Sequence, residues 1–116
     1  MGGVGYPTVE HWFQSQKSFD LGEQQMVRQL ETPTEARFAG RHVDLREDWE
    51  FVKDDIMLQG LRAKFTQHDA LRQKLLDTGC SSLHEASPWD KYWGYKGLDM
   101  LGKLLMQVRN ELKGEL

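Results

Sequence analysis

The chain's sequence predicts a mostly α fold, α+β at most, with a small or incomplete sheet. Three observations predict it: apolar residues recur at three- and four-residue spacing through most of the length, cap signals precede those runs, and only one short segment has strand character. With 116 residues, one compact helical domain spanning residues 1–116 is expected, large enough to bury a core without disulfides.

Thr8 caps a first helix on which Val9, Trp12, Phe13 and Phe19 share a face, ending around Asp20-Leu21-Gly22. A short second helix runs from Gln24 to Leu30 on Met26, Val27 and Leu30. Thr32-Pro33-Thr34-Glu35 reads as a capping box with proline at the first helical position, starting a brief helix that Gly40 stops. The longest run, Glu47 to Phe65, puts Trp49, Val52, Ile56 and Ala63 on one face, widened by Met57, Leu61 and Phe65. Gly60 weakens that helix by about 1 kcal/mol relative to alanine, which points to a close contact there. Gln67 to Asp77 forms a further helix, capped by Thr66 or Gln67 and ended by Gly79. Leu83-His84-Glu85-Ala86 is the strand candidate, Ser87 to Tyr95 an aromatic loop, and the last helix buries Leu101, Leu104, Leu105, Val108 and Leu112.

A net charge of −3 argues against a protein that binds by coating a nucleic-acid backbone, while leaving room for a local basic pocket that takes a phosphorylated small molecule. Cys80 is the only cysteine, which excludes an internal disulfide and a cysteine-rich zinc site. No stretch has the apolar length of a membrane span, and Met1 to Gly5 lack a signal region, so a cytoplasmic protein is expected. No P-loop, G-x-S-x-G elbow or H-E-x-x-H is present, and Gly94, Gly97 and Gly102 do not form a GxGxxG pattern. Neither a cofactor nor a metal is expected.

Helical spacing places Glu10, Phe13, Gln14 and Lys17 on one face of the first helix. A carboxylate and an amine so placed suit an acid/base pair or a nucleophile with its activator, but on this pattern alone an ordinary surface salt bridge is the favoured reading. His11 has no partner at metal-ligand spacing. The rings of Trp89, Tyr92, Trp93 and Tyr95 either pack on the core or stack on a ligand, with Asp90 and Lys91 beside them. Arg46, Asp48 and Glu50 around Trp49 read as a solvated helix terminus.

Several blocks together resemble the NADAR family, also called YbiA-like. Tyr6-Pro7-Thr8-Val9-Glu10-His11-Trp12-Phe13-Gln14-Ser15-Gln16-Lys17 is similar to its YPTVEHxFQAxK segment. In order follow Gly40-Arg41, Leu45-Arg46-Glu47-Asp48-Trp49-Glu50, Lys53, Ala63-Lys64-Phe65, Leu75-Leu76-Asp77-Thr78-Gly79 and Leu83-His84-Glu85-Ala86-Ser87-Pro88. Asp90, Tyr92-Trp93-Gly94 and the run Leu101 to Arg109 complete the match over nearly the whole chain. Two departures stand out. Met1 to Gly5 occupy the place of an upstream F-L-S-N-F-like strand segment, and Asp99 stands where the family often has asparagine. The first leads us to expect an incomplete sheet and an exposed apolar patch, hence a homodimer or a monomer of low stability.

The resemblance implies an N-glycosidase that hydrolyses the ribose–nitrogen bond of a phosphorylated riboside, such as an early intermediate of riboflavin biosynthesis. Its alternative substrate class is ADP-ribose on guanine, so that nucleic acid enters only as an ADP-ribosylated substrate. A non-catalytic ADP-ribose-binding module is the rival reading, and a fragment needing a partner is a third. For hydrolysis, Glu10 is the first choice of catalytic carboxylate and Asp90 the second, stabilising the oxocarbenium-like transition state. Lys17 is the general acid, or the amine that forms a Schiff base. Trp93 and Tyr92 wall the pocket, Gly94 lets the backbone approach the ligand, and Arg46 and Lys53 are candidate phosphate partners.

Overall fold

Helix starts in the first third of the chain are made by side chains that the sequence supplies for them. In the computed structural model, which describes residues 5–83, 92–94 and 97–114, Thr8 Oγ1 accepts the N–H of His11 at the head of α1 (Val9–Ser15). Asp20 does the same for Glu23 at the head of α2 (Leu21–Arg28), and Thr32 for Glu35 at the head of α3 (Pro33–Ala39). There follow α4 (Trp49–Gln67), α5 (Asp69–Asp77) and α6 (Met100–Gly114). Among the described residues there is no strand, so the predicted mostly α class holds. The strand expected at 83–86 lies outside the described residues except for Leu83, which is in no regular element.

The chain divides into two compact units, Met1–Gly60 and Leu61–Leu116. In the first, α1 packs against α2 and α3, and the core holds Phe13, Val27, Ala36, Trp49, Ile56 and Met57. His11 is fully buried there, with Nε2 bonded to Leu30 O at 2.9 Å and Nδ1 to Thr8 Oγ1 at 2.7 Å. The carbonyl can only accept, so Nε2 carries the proton; the ring ties α1 to the end of α2 and is structural. Trp12 Nε1 donates to Ile56 O at 3.0 Å, and its indole lies over Gly60, where an added Cβ would come within 2.7 Å of Trp12 Cδ1. That is the close contact expected at Gly60.

Three expectations are corrected, and a fourth, the stop at Gly40, holds with its own physical cause. α1 ends at Ser15, and Phe19 is 64% exposed with the Arg46 guanidinium 4.3 Å from its ring centroid, not part of the buried stripe. Asp20 is a cap and not a stop, because its short carboxylate can take the Glu23 N–H at 2.9 Å, so α2 begins three residues earlier than expected. Gly40 does end α3, but with φ −61 it needs no left-handed freedom; a Cβ there would overlap the Gln14 side-chain amide. Thr66 does not cap α5: its hydroxyl donates back to Arg62 O, α4 continues through Gln67, and His68 takes the cap position without a side-chain bond.

In the second unit α5 and α6 pack together around Leu75, Leu104, Val108 and Leu112, with Leu61 and Phe65 also in its core. Gly79, at φ +63, supplies the left-handed residue after α5. Asp99 enters α6 at φ 52, a conformation that aspartate and asparagine share as the best-tolerated non-glycine residues.

Candidate active site

α1 and the segment after it hold the first two candidate residues, Glu10 and Lys17. Glu10 sits in the first turn of α1 with its side chain 23% exposed. One oxygen, Oε1, accepts from Gln14 Nε2 at 2.9 Å and from Arg37 Nε at 3.0 Å. Among the described residues the other oxygen, Oε2, has no hydrogen bond. One carboxylate oxygen is therefore held while the other remains available to a ligand.

Lys17 follows two turns later, half-buried. Its Nζ stands 5.9 Å from the ring centroids of both Phe13 and Trp49. Among the described residues this ammonium makes no ion pair and no hydrogen bond. Burial holds it below the ordinary lysine value of 10.5; the charge of Glu10 pulls it up in part, and Arg41 pushes it down further. The backbone here is fixed from outside the helix, since Arg46 N–H donates to Lys17 O at 2.7 Å. The arrangement is a half-buried ammonium that feels the Glu10 charge, with two aromatic rings beside it and Arg37 and Arg41 nearby.

The expected phosphate partners are differently placed. Arg46 is engaged by Asp48 in a two-pronged pair, Nε to Oδ1 at 2.6 Å and Nη2 to Oδ2 at 2.9 Å. That bond raises the guanidinium's affinity for its proton and lowers the Asp48 carboxyl. The groove of about 480 Å³ beside it is lined with Asp20, Asp44, Glu47 and Asp48, an acidic wall that repels an anion. Lys53 pairs with Glu50 at 2.6 Å on α4.

In the second unit Tyr92 and Trp93 are half-buried and meet edge to face at 4.8 Å, and Gly94 is buried. This segment is tied to the start of α6: Met100 N–H donates to Tyr92 O, and Gly97 and Asp99 N–H to Gly94 O. Asp90 lies outside the described residues. Glu10 and Lys17 are thus brought together within the first unit, with Arg46 joined to them through its backbone. Arg37, Arg41 and the buried Gln14 complete the surroundings of the pair. Helical spacing already put Gln14 on the Glu10 face, but nothing local links Glu10 to an arginine 27 residues away.

The sequence matches the family model of the NADAR domain over residues 1–113. It is 42% identical to the N-glycosidase YbiA of Escherichia coli, an alignment that covers 95% of this chain and 72% of that protein. An N-glycosidase of Nostoc punctiforme is 41% identical, over 96% of this chain and 77% of its own length. A riboflavin biosynthesis protein of Zea mays chloroplasts, PYRR, is 37% identical over 94% of this chain, which corresponds to 20% of the maize protein. The NMR structure of Escherichia coli YbiA superposes with a TM-score of 0.87, covering 95% of this chain and 69% of that one.

Proposed function

The chain belongs to the NADAR domain family and is a hydrolase of N-glycosyl bonds, and we propose that its substrate is a small phosphorylated riboside whose ribose–nitrogen bond it cleaves. An early phosphoribosylamino intermediate of riboflavin biosynthesis, met in the cytoplasm, fits best, since the plant relatives carry riboflavin biosynthesis in their names. The observation that carries the reading is the half-buried Lys17 ammonium, which feels the Glu10 charge and makes no hydrogen bond or ion pair among the described residues.

Breaking the C–N bond leaves positive charge on the sugar and negative charge on the departing nitrogen. The Glu10 carboxylate faces the first charge and takes a proton from the attacking water, while the Lys17 ammonium gives a proton to the nitrogen. The products are the free amine and a ribose phosphate, and the two side chains end one proton exchanged, restored through solvent. Burial favours this role, because an ammonium held below its ordinary value gives up its proton more readily than an exposed lysine. Phe13 and Trp49 supply the apolar wall that keeps it so. Trp93 and Tyr92 remain the proposed base-stacking residues, Gly94 the point of backbone approach, and Asp90 the alternative carboxylate. Arg41 is a stronger candidate for the phosphate than Arg46 or Lys53, because both of those are already paired with carboxylates and Arg41 makes no side-chain pair among the described residues.

The test is Glu10→Gln, which keeps volume and removes charge. Hydrolysis of a phosphoribosylamino pyrimidine is expected to fall by at least ~10² with the fold intact. Unchanged turnover sinks the assignment. Running ADP-ribosylated guanosine alongside distinguishes the alternative substrate, and binding of either without release of sugar would show a binding module.

A further inference from the structure

We infer that Gln14 is a positioning residue for the reaction, its buried side-chain amide holding the Glu10 carboxylate in the geometry that hydrolysis needs. This rests on the reading of Glu10 given above and goes beyond it in naming what aims the carboxylate.

Gln14 is 4% exposed, although it is polar and lies on a seven-residue helix. Its Nε2 donates to Glu10 Oε1 at 2.9 Å. The orientation of the amide is settled by its partner, because a carboxylate only accepts and the NH₂ end must face it. The opposite end, Oε1, is buried with no hydrogen-bond partner among the described residues. A buried amide carbonyl without a donor is unfavourable, and an apolar side chain of similar size would serve packing better. The site makes room for the amide nonetheless: Gly40 lacks the Cβ that would overlap Gln14 Oε1 and approach its Cδ at 2.8 Å. A polar group kept in a place that stability alone would fill with carbon indicates a use for its other end.

Arg37 also donates to Glu10 Oε1, but its side chain is 57% exposed. Exposed pairs hold geometry weakly because solvent and rotamer freedom compete with them. Gln14 has neither freedom. Both donors act on one oxygen, so the amide fixes the rotation of the carboxylate and leaves Oε2 for the sugar or the attacking water.

The experiment is a double-mutant cycle on hydrolysis of a phosphoribosylamino pyrimidine, with wild type, Gln14→Met, Glu10→Gln and the double variant. Gln14→Met removes the donor at similar volume. It is expected to lower kcat by ~10-fold with KM unchanged, since a misaimed carboxylate loses transition-state stabilisation and not binding. In the Glu10→Gln background the same change is expected to lower kcat less than ~2-fold, because the group it positions is gone. Gln14→Leu, smaller and also without a donor, repeats the test if methionine does not fit. Equal losses in both backgrounds, a loss in KM alone, or wild-type kcat in Gln14→Met overturns the inference. Loss of a cooperative melt in both single Gln14 variants overturns it too, by making the residue structural. An inactive Glu10→Gln beside an unaffected Gln14→Met removes this inference alone; a fully active Glu10→Gln removes the underlying reading as well.

Discussion

Arg109 in one unit and Lys17 in the other are both shielded from water, and the two units treat them differently. Arg109 of α6 is 4% exposed, and its Nη1 donates to Thr78 Oγ1 at 2.8 Å and to Ser81 O at 2.7 Å. One turn on, Lys113 Nζ reaches Gly79 O at 2.6 Å. Two basic residues of α6 thus satisfy the region where α5 ends, which is the negative end of that helix. Lys17 in the first unit has aromatic faces around it and a carboxylate in the neighbourhood, yet no acceptor among the described residues within bonding reach. A cation with fixed acceptors holds the chain together. One left without them carries a burial penalty that no bonded acceptor relieves, the condition the proposed proton donor requires.

That contrast is open to test from both sides, and the largest effect is expected on turnover. Lys17→Met should lower kcat for riboside hydrolysis by ~10² or more at neutral pH, measured as released ribose phosphate. Arg109→Met should be felt in the melt, with Tm down by roughly 5–10 °C, as charge-assisted bonds to Thr78 and Ser81 are lost from a buried site. Gly40→Ala should lower stability by about 1–3 kcal/mol through overlap with the Gln14 amide, read by urea unfolding, and should lower kcat in step with Gln14→Met.

A smaller effect has the opposite sign. Folding lowers the Lys17 value, so between that value and 10.5 the unfolded chain binds more protons than the folded one, and stability rises with pH across this window. The burial penalty is complete below the folded value and relieved toward 10.5. Lys17→Met should therefore raise Tm by a few degrees, most at neutral pH and least near pH 10.5, which a series of thermal melts would show. A fall in Tm would place Lys17 with Arg109 among the structural cations. The smallest effect belongs to Arg37→Met, whose exposed pair with Glu10 should change kcat by less than ~3-fold.

The sequence revealed local features more readily than distant ones. Thr8 and Thr32 were readable as caps because a cap needs only the three residues after it, and Gly60 because glycine inside a helix costs enough to require a reason. Asp20 misled because it sits in a stretch that looks like an ending and becomes a cap only once α2 starts there. Gly40 marked the right boundary for a different reason, set by a side chain 26 positions earlier that no local pattern shows. For the site, the spacing of Glu10 and Gln14 on one helix face was legible, whereas Lys17, expected on the same face, lies past the end of α1. The Leu30 carbonyl that makes His11 structural, the Arg37 pair and the Asp48 pair that occupies Arg46 all depend on the fold.

The most direct measurement is the pH dependence of kcat/KM for hydrolysis of a phosphoribosylamino pyrimidine by the wild type and by Lys17→Arg. If Lys17 is the acid, the wild-type rate falls as pH rises, with a midpoint below 10.5, and Lys17→Arg, whose guanidinium keeps its proton, lacks that limb in whatever activity it retains. A wild-type rate that stays flat through pH 10.5, or an alkaline limb unchanged in Lys17→Arg, would contradict the assignment of the half-buried amine as the proton donor.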